Sequence, residues 1–247
     1  MALALWPLGY PDLALKRSQE ALTLAQELAH PFSLAWALNW LAWVHHYRRE
    51  GQATRERAEA GLALSSGQGF AWYVALGTIL RGGALAEQGH GAAGIAQMHH
   101  GLAAYRATGV ETGQPFFLTW LAAAHTQGGH IEEGLAALAE AFVRADKTGE
   151  HCYEVEQHRL KGELLLRQTI SDAHQAQACF QQALTIARRQ QAKSLELRAA
   201  MSLARLWQNQ GKRKEAHDLL APIYGWFTEG FGTPDIQGAQ ALLEDLL

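Results

Sequence analysis

Apolar and polar positions alternate along this chain with helical spacing, and the stretch from Pro115 to Asp146 shows the unit most plainly. An apolar, small-residue segment from Phe116 to Thr126 runs into Gly128-Gly129. A second segment from Ile131 to Arg144 carries apolar residues at Ile131, Leu135, Leu138, Ala141 and Phe142, the i, i+3, i+4, i+7 recurrence of an amphipathic helix. The pair predicts an αα-hairpin. Neither helix can bury its apolar face alone, so copies of the hairpin must stack on one another.

Copies are visible on both sides. Gly9, Gly51, Gly89, Gly129 and Gly211 punctuate the chain at nearly even steps, except that the last step is double the others. The double step predicts a glycine-less turn near Thr169-Ile170-Ser171-Asp172. Thirteen positions after each turn residue stand Leu22, Leu64, Leu102, Phe142, Leu184 and Tyr224, most of them preceded by a small residue. Seven positions before the turn stand Val44, Gly82, Ala122 and Ala204, with Gly162 in the fourth unit once two extra turn residues are allowed. Small residues there let paired helices approach closely. The expected fold is all-α, a right-handed α-solenoid of about five helix pairs, each pair spanning about 40 residues, with an N-terminal orphan helix and a C-terminal capping helix. Residues 1–29 form an orphan half-repeat with its helix from Pro11 to Leu28. The pairs occupy 30–69, 70–109, 110–149, 150–192 and 193–230, and 231–247 form a capping helix with Thr233 as its N-cap.

Composition narrows the function classes. A net charge of -3 with mixed signs gives no nucleic-acid footprint and no polybasic membrane signal. The longest apolar run, Phe32 to Val44, falls short of the roughly 20 residues of a membrane span, and the N-terminus lacks the pattern of a signal peptide. The location implied is cytoplasmic. Cys152 and Cys179 are expected to be buried free thiols.

The small-residue first helix, the turn glycine and the fixed Ala/Leu offsets resemble the tetratricopeptide (TPR) repeat stretched from its usual length, with Trp40, Trp43, Val44 and Tyr47 at the family's Trp, Leu, Gly and Tyr places. Longer segments carry a sharper resemblance: GYPDLALKRSQEALTLAQEL, YEVEQHRLKGELLL, ACFQQALTIARRQQAKSLELRAAMSLARLWQNQGKR and LAPIYGWFTEGF are similar to the C-terminal tetratricopeptide-like region of large bacterial multidomain signalling ATPases. Those proteins join a cyclase-like, kinase-like or DNA-binding domain to a STAND-type nucleotide-binding module. The resemblance implies a sensor or scaffold arm. No G-x-x-x-x-G-K-[ST] stretch is present, and the array is expected to begin midway through a repeat, as a fragment, a truncated product or an expressed domain.

Candidate chemistry is sparse. His45-His46 and His99-His100 point about 100° apart on a helix and lack metal-site spacing, so no metal and no cofactor is expected. Glu156, Arg159 and Glu163 share a helical face as an ion-paired stripe, and no nucleophile set can be assembled; the chain is read as no enzyme. Trp36, Trp40, Trp43 and Tyr47 are expected in the core, whereas Trp6 is expected to lie exposed at an open N-terminal end that favours self-association. On the concave face, the TPR-like register places His45, Arg48, Thr119, Thr126, Glu156, Arg159, Glu163, Arg198, Arg205 and Gln208 inward, with Leu76, Ile79, Gly83 and Ala86 in the second unit. A protein or peptide segment bound there is the expected partner. The alternative is a small-ligand or peptide receptor that regulates a fused or partner effector through solenoid curvature.

Overall fold

Helix ends set the architecture. The computed structural model describes residues 2–168 and 173–247. Left-handed backbone stands at residues 9, 29, 49, 69, 89, 109, 129 and 149, twenty apart, and again at 191 and 211. Each such residue closes a helix. Around Gly89, for example, the N–H of His90 reaches back to Leu85 O and that of Gly89 to Ala86 O, so carbonyls orphaned at the helix end are satisfied while the chain reverses. The step from 149 to 191 is slightly longer than the step from 109 to 149. The break expected at Thr169-Ile170-Ser171-Asp172 lies outside the described residues.

Thirteen helices result among the described residues: α1 (Ala2–Leu5), α2 (Pro11–Glu27), α3 (Pro31–Tyr47), α4 (Gly51–Gln68), α5 (Ala71–Glu87), α6 (Gly91–Ala107), α7 (Gln114–Gly128), α8 (Ile131–Thr148), α9 (Glu154–Gln168), α10 (Ala173–Gln190), α11 (Lys193–Asn209), α12 (Arg213–Tyr224) and α13 (Pro234–Leu246). Each helix packs on the next, and from α1 to α13 each odd-numbered helix also touches the next odd one. The odd helices therefore form an inner row and the even helices an outer one. Prolines at α3 and α7 sit in the first helical turn, where a missing N–H costs nothing.

One turn residue differs from expectation. Gly51 begins α4, and the left-handed position belongs to Arg49. Moving the register back by two positions makes Ala42, fully buried, the small residue of α3 in place of Val44, and pairs Gly61-Leu62 with Gly101-Leu102. The small positions do bring helices together: a Cβ on Gly82 would stand 2.8 Å from Gly94 O, and one on Gly162 would stand 2.5 Å from the Phe180 ring. Thr233 does precede α13, but its hydroxyl bonds back to Gly230 O instead of capping the helix. The two cysteines are free but not buried, Cys152 exposed and Cys179 half-buried.

The N-terminus is not an open end. Trp6, expected to be exposed, is 2 % exposed and stacks on Tyr47 with ring centroids 4.5 Å apart. Ser194 donates to Trp6 O at 2.6 Å, Gly230 N–H donates to Asp12, and Glu229 accepts the N–H groups of Asp12 and Leu13 at the start of α2. The segment 2–13 thus packs against residues 193–235, and the superhelix closes on itself. Trp6, on which the expected self-association rested, is therefore covered, while Leu8, Tyr10, Leu24 and Leu28 of the N-terminal segment, α2 and its C-cap are exposed. Of the aromatic stripe on α3, Trp43 and Tyr47 are buried as expected, while Trp36 is 44 % exposed.

Candidate functional site: two chambers on the concave face

Where the ends meet, the inner row lines two chambers that are each partly open to solvent. Tyr153 is the residue common to both walls. Burial and the charge of Glu156 push the Tyr153 hydroxyl well above its ordinary range, so it stays neutral; it accepts a bond from Trp120 Nε1 at 3.3 Å.

The polar chamber, about 430 Å³, is walled by α7, α9, α11 and α13 with the ends of α3 and α5. Its core is an ion-pair network. Arg159 donates to both Glu156 oxygens at 2.8 and 2.6 Å and also to Glu163, whose carboxylate accepts from Ser202. Burial opposes ionisation of Glu156, yet the guanidinium groups of Arg159 and Arg198 lower its pKa to about 2. Arg198 donates to Asp235 at 2.7 Å and to Tyr47 O at 2.7 Å, and lies 4.5 Å above the Trp6 ring. Helices α3, α11 and α13 and the N-terminal segment meet at that one side chain.

Arg49 pairs with Asp235 at 3.0 Å, and Arg167 donates to Thr126 O. Arg205 differs. It lines the chamber, it is exposed to the chamber's solvent, and it makes no ion pair or hydrogen bond among the described residues. Partial burial lowers its pKa, with the positive charges of Arg159 and Arg49 adding to the effect.

Seven of the ten residues placed inward from the sequence line this chamber: Thr119, Thr126, Glu156, Arg159, Glu163, Arg198 and Arg205. The hydroxyls of Thr119 and Thr126 are spent on Pro115 O and Ala122 O. His45 and Arg48 do not line it. Both bind Glu50 at the start of α4, and Arg48 also holds Asp12 of α2 at 2.8 Å, so His45 serves the α3–α4 turn and Arg48 ties that turn to α2. The two-position shift puts His46 in the place expected for Arg48 and Trp43 in that expected for His45, and His46 lines the chamber together with Arg49 of the turn. Gln208 lies outside the wall. Leu76 and Ile79 are wholly buried between helices and offer nothing to a ligand.

The second chamber, about 880 Å³, went unread in the sequence. Rings from α3, α5, α6 and α7 surround it, in a chain from Trp72 through Trp40 and Trp43 to Phe116 and Tyr153 with centroid separations of 6.4, 5.1, 5.6 and 4.9 Å. Each ring sits at ordinary helical core spacing. Only the closure of the superhelix leaves the space between them unfilled.

No protein-family model matches the sequence, and no curated protein matches it either. Solved structures do match. Two crystal structures of nearly identical TPR-like repeats from a Podosopora anserina protein assigned as a kinesin light chain superpose with TM-scores of 0.54 and 0.53. The first covers 79 % of this chain and 95 % of that one, the second 86 % and 97 %, each at 18 % identity. The fold is that of a TPR-like α-solenoid. At that identity the likeness concerns the path of the helices and not the side chains on the concave face. Among the described residues no helix of the TPR-like array is long and apolar enough to cross a membrane.

Proposed function

We propose that this TPR-like solenoid is a non-catalytic protein-interaction scaffold whose polar chamber receives an extended segment of a partner protein. Its setting would be cytoplasmic, as the sensor or scaffold arm of a bacterial signalling ATPase or cyclase system, which is what the resemblance of its longer segments implies. TPR-like repeats generally mediate protein interactions, and curved stacks bind on the face lined by inner helices. The observation that carries the proposal is Arg205, an unpaired guanidinium on a wall where the neighbouring arginines are already engaged. A partly desolvated, unpaired arginine favours an incoming acceptor, and a carboxylate or backbone carbonyl of a bound segment supplies one.

The test compares affinity capture from lysate by the wild-type chain, by Arg205→Glu and by Arg17→Glu, which changes an exposed charge on the outer helix α2. Partners that bind in the chamber are expected to be lost from Arg205→Glu alone. Partners retained equally by all three exclude the chamber as their site.

A second function, that of a small-ligand receptor, is supported by a separate observation: the inner row lines partly open chambers of a size suited to small molecules. A ligand of this kind raises thermal stability in proportion to the logarithm of its concentration above Kd.

A further inference from the structure

The aromatic chamber has one feature that selects among ligands. Of all the side chains on its wall, Glu150 is the only Asp, Glu, Lys or Arg. Glu150 makes no ion pair among the described residues. Both of its oxygens accept the N–H of Gly113 at 3.0 Å, and one also accepts the Thr148 hydroxyl at 3.1 Å. The carboxylate is thereby fixed in place and largely supplied with donors, so what it offers the chamber is negative charge more than hydrogen-bonding capacity. His151, on the same wall, has its ring nitrogen 3.8 Å from Glu154.

The rest of the wall agrees in sign. Aromatic faces carry negative quadrupole density and attract cations lying over them. Tyr105 and Phe117 stand next to Gly113, which donates to Glu150: a Cβ on Gly113 would meet the Tyr105 hydroxyl and the Phe117 ring at 3.4 Å, and Trp72 is one ring further along, its centroid 5.9 Å from that of Tyr105. Trp40 and Trp43 continue the wall away from the charge. An anion would face the carboxylate and the ring faces together, and a polyhydroxylated ligand would find few side-chain partners there.

We propose that this chamber binds an organic cation, a quaternary or tertiary ammonium carrying an apolar body. The ammonium lies against the half-buried Trp72 on the Glu150 side, and the apolar body extends over the half-buried Trp40 toward Phe116. A quaternary ammonium suits the site better than a primary amine, because it needs only charge and ring faces and carries no N–H groups to be satisfied on this apolar wall, while a tertiary ammonium carries a single N–H that the carboxylate can accept. The volume of about 880 Å³ lies within the usual range for small-molecule sites. The proposal deepens the receptor function and makes no use of Arg205, so loss of segment capture and loss of cation binding are separable results.

The experiment titrates the full chain with (3-phenylpropyl)trimethylammonium, with the neutral analogue in which carbon replaces the quaternary nitrogen, and with 4-phenylbutyrate, following tryptophan fluorescence and calorimetry. The cation is expected to bind at least about ten-fold more tightly than either analogue, with Kd in the micromolar range. Glu150→Gln keeps an acceptor for the Gly113 N–H and is expected to erase most of the preference for the cation over the neutral analogue. Trp72→Ala is expected to weaken both. The wild-type comparison decides the matter even if a variant fails to fold. Equal binding of the neutral analogue, tighter binding of the carboxylate, or no binding of the cation at millimolar concentration overturns the proposal.

Discussion

Side chains at the helix ends and in the ion-pair network show most directly what the residues contribute. Ala29 closes α2 with φ of +48°, a left-handed conformation in which its Cβ crowds the following carbonyl. The side chain is exposed, so nothing else depends on it. Ala29→Gly is expected to raise the unfolding free energy by about 1 kcal/mol, read from the urea midpoint at unchanged slope. Glu156 illustrates charge. Its folded pKa of about 2 lies below the ordinary 4.5, so its ionised form stabilises the fold fully above about pH 5. That contribution is lost as pH falls from 4.5 through 2. Denaturation at pH 6 and pH 3 is expected to show a large drop for the wild type and a smaller one for Glu156→Gln, which starts lower because Arg159 and Arg198 lose their partner. The stripe of Glu156, Arg159 and Glu163 could be read from spacing alone, because i, i+3 and i+7 share a face whatever the tertiary fold. The burial of Trp6 could not, because its partners Tyr47 and Arg198 belong to α3 and α11, remote from it along the chain.

Between neighbouring helices, the controlling quantity is how closely backbones approach. At Gly82 the nearest atoms to an added Cβ include backbone, Gly94 O and Met98 N at 2.8 and 2.9 Å, which cannot rotate aside as a side chain can. Gly82→Ala is expected to cost about 1–3 kcal/mol, whereas Gly91→Ala, with open space around its Cβ, serves as a control near zero. Equal effects of the two would remove close approach from the account of α5 and α6. The helical content and the regular repeat were legible because every unit buries the same face. The exact register at α3 was not. Gly51 looked like a turn residue by its chemistry, yet Arg49 occupies the left-handed position and gains Asp235 as an ion partner there. The twenty-residue spacing of the helix ends places the turn at Arg49 despite the local preference for glycine, and with that register His46 stands where Arg48 was expected.

For the whole molecule, the seam between the segment 2–13 and residues 193–235 is the defining element. Arg198 is its centre, bonded to Asp235 and Tyr47 O and covering Trp6. A lysine cannot reproduce the forked geometry. Arg198→Lys is therefore expected to speed amide exchange in residues 2–28 and 213–247 before the middle of the chain, and to enlarge the radius of gyration measured by small-angle scattering. Unchanged exchange at both ends would show that the seam is held elsewhere. The seam also bears on how such a protein can change over evolutionary time. Open solenoids lengthen by duplicating a repeat, since each new unit needs only its two neighbours. Here an added helix pair would push residues 193–235 away from Trp6 and Asp12, open both chambers at once and strand the buried guanidinium of Arg198. The evenly spaced ladder of turns makes duplication easy to encode, and the contact between residues 2–13 and 193–235 makes a pair inserted between them costly to keep.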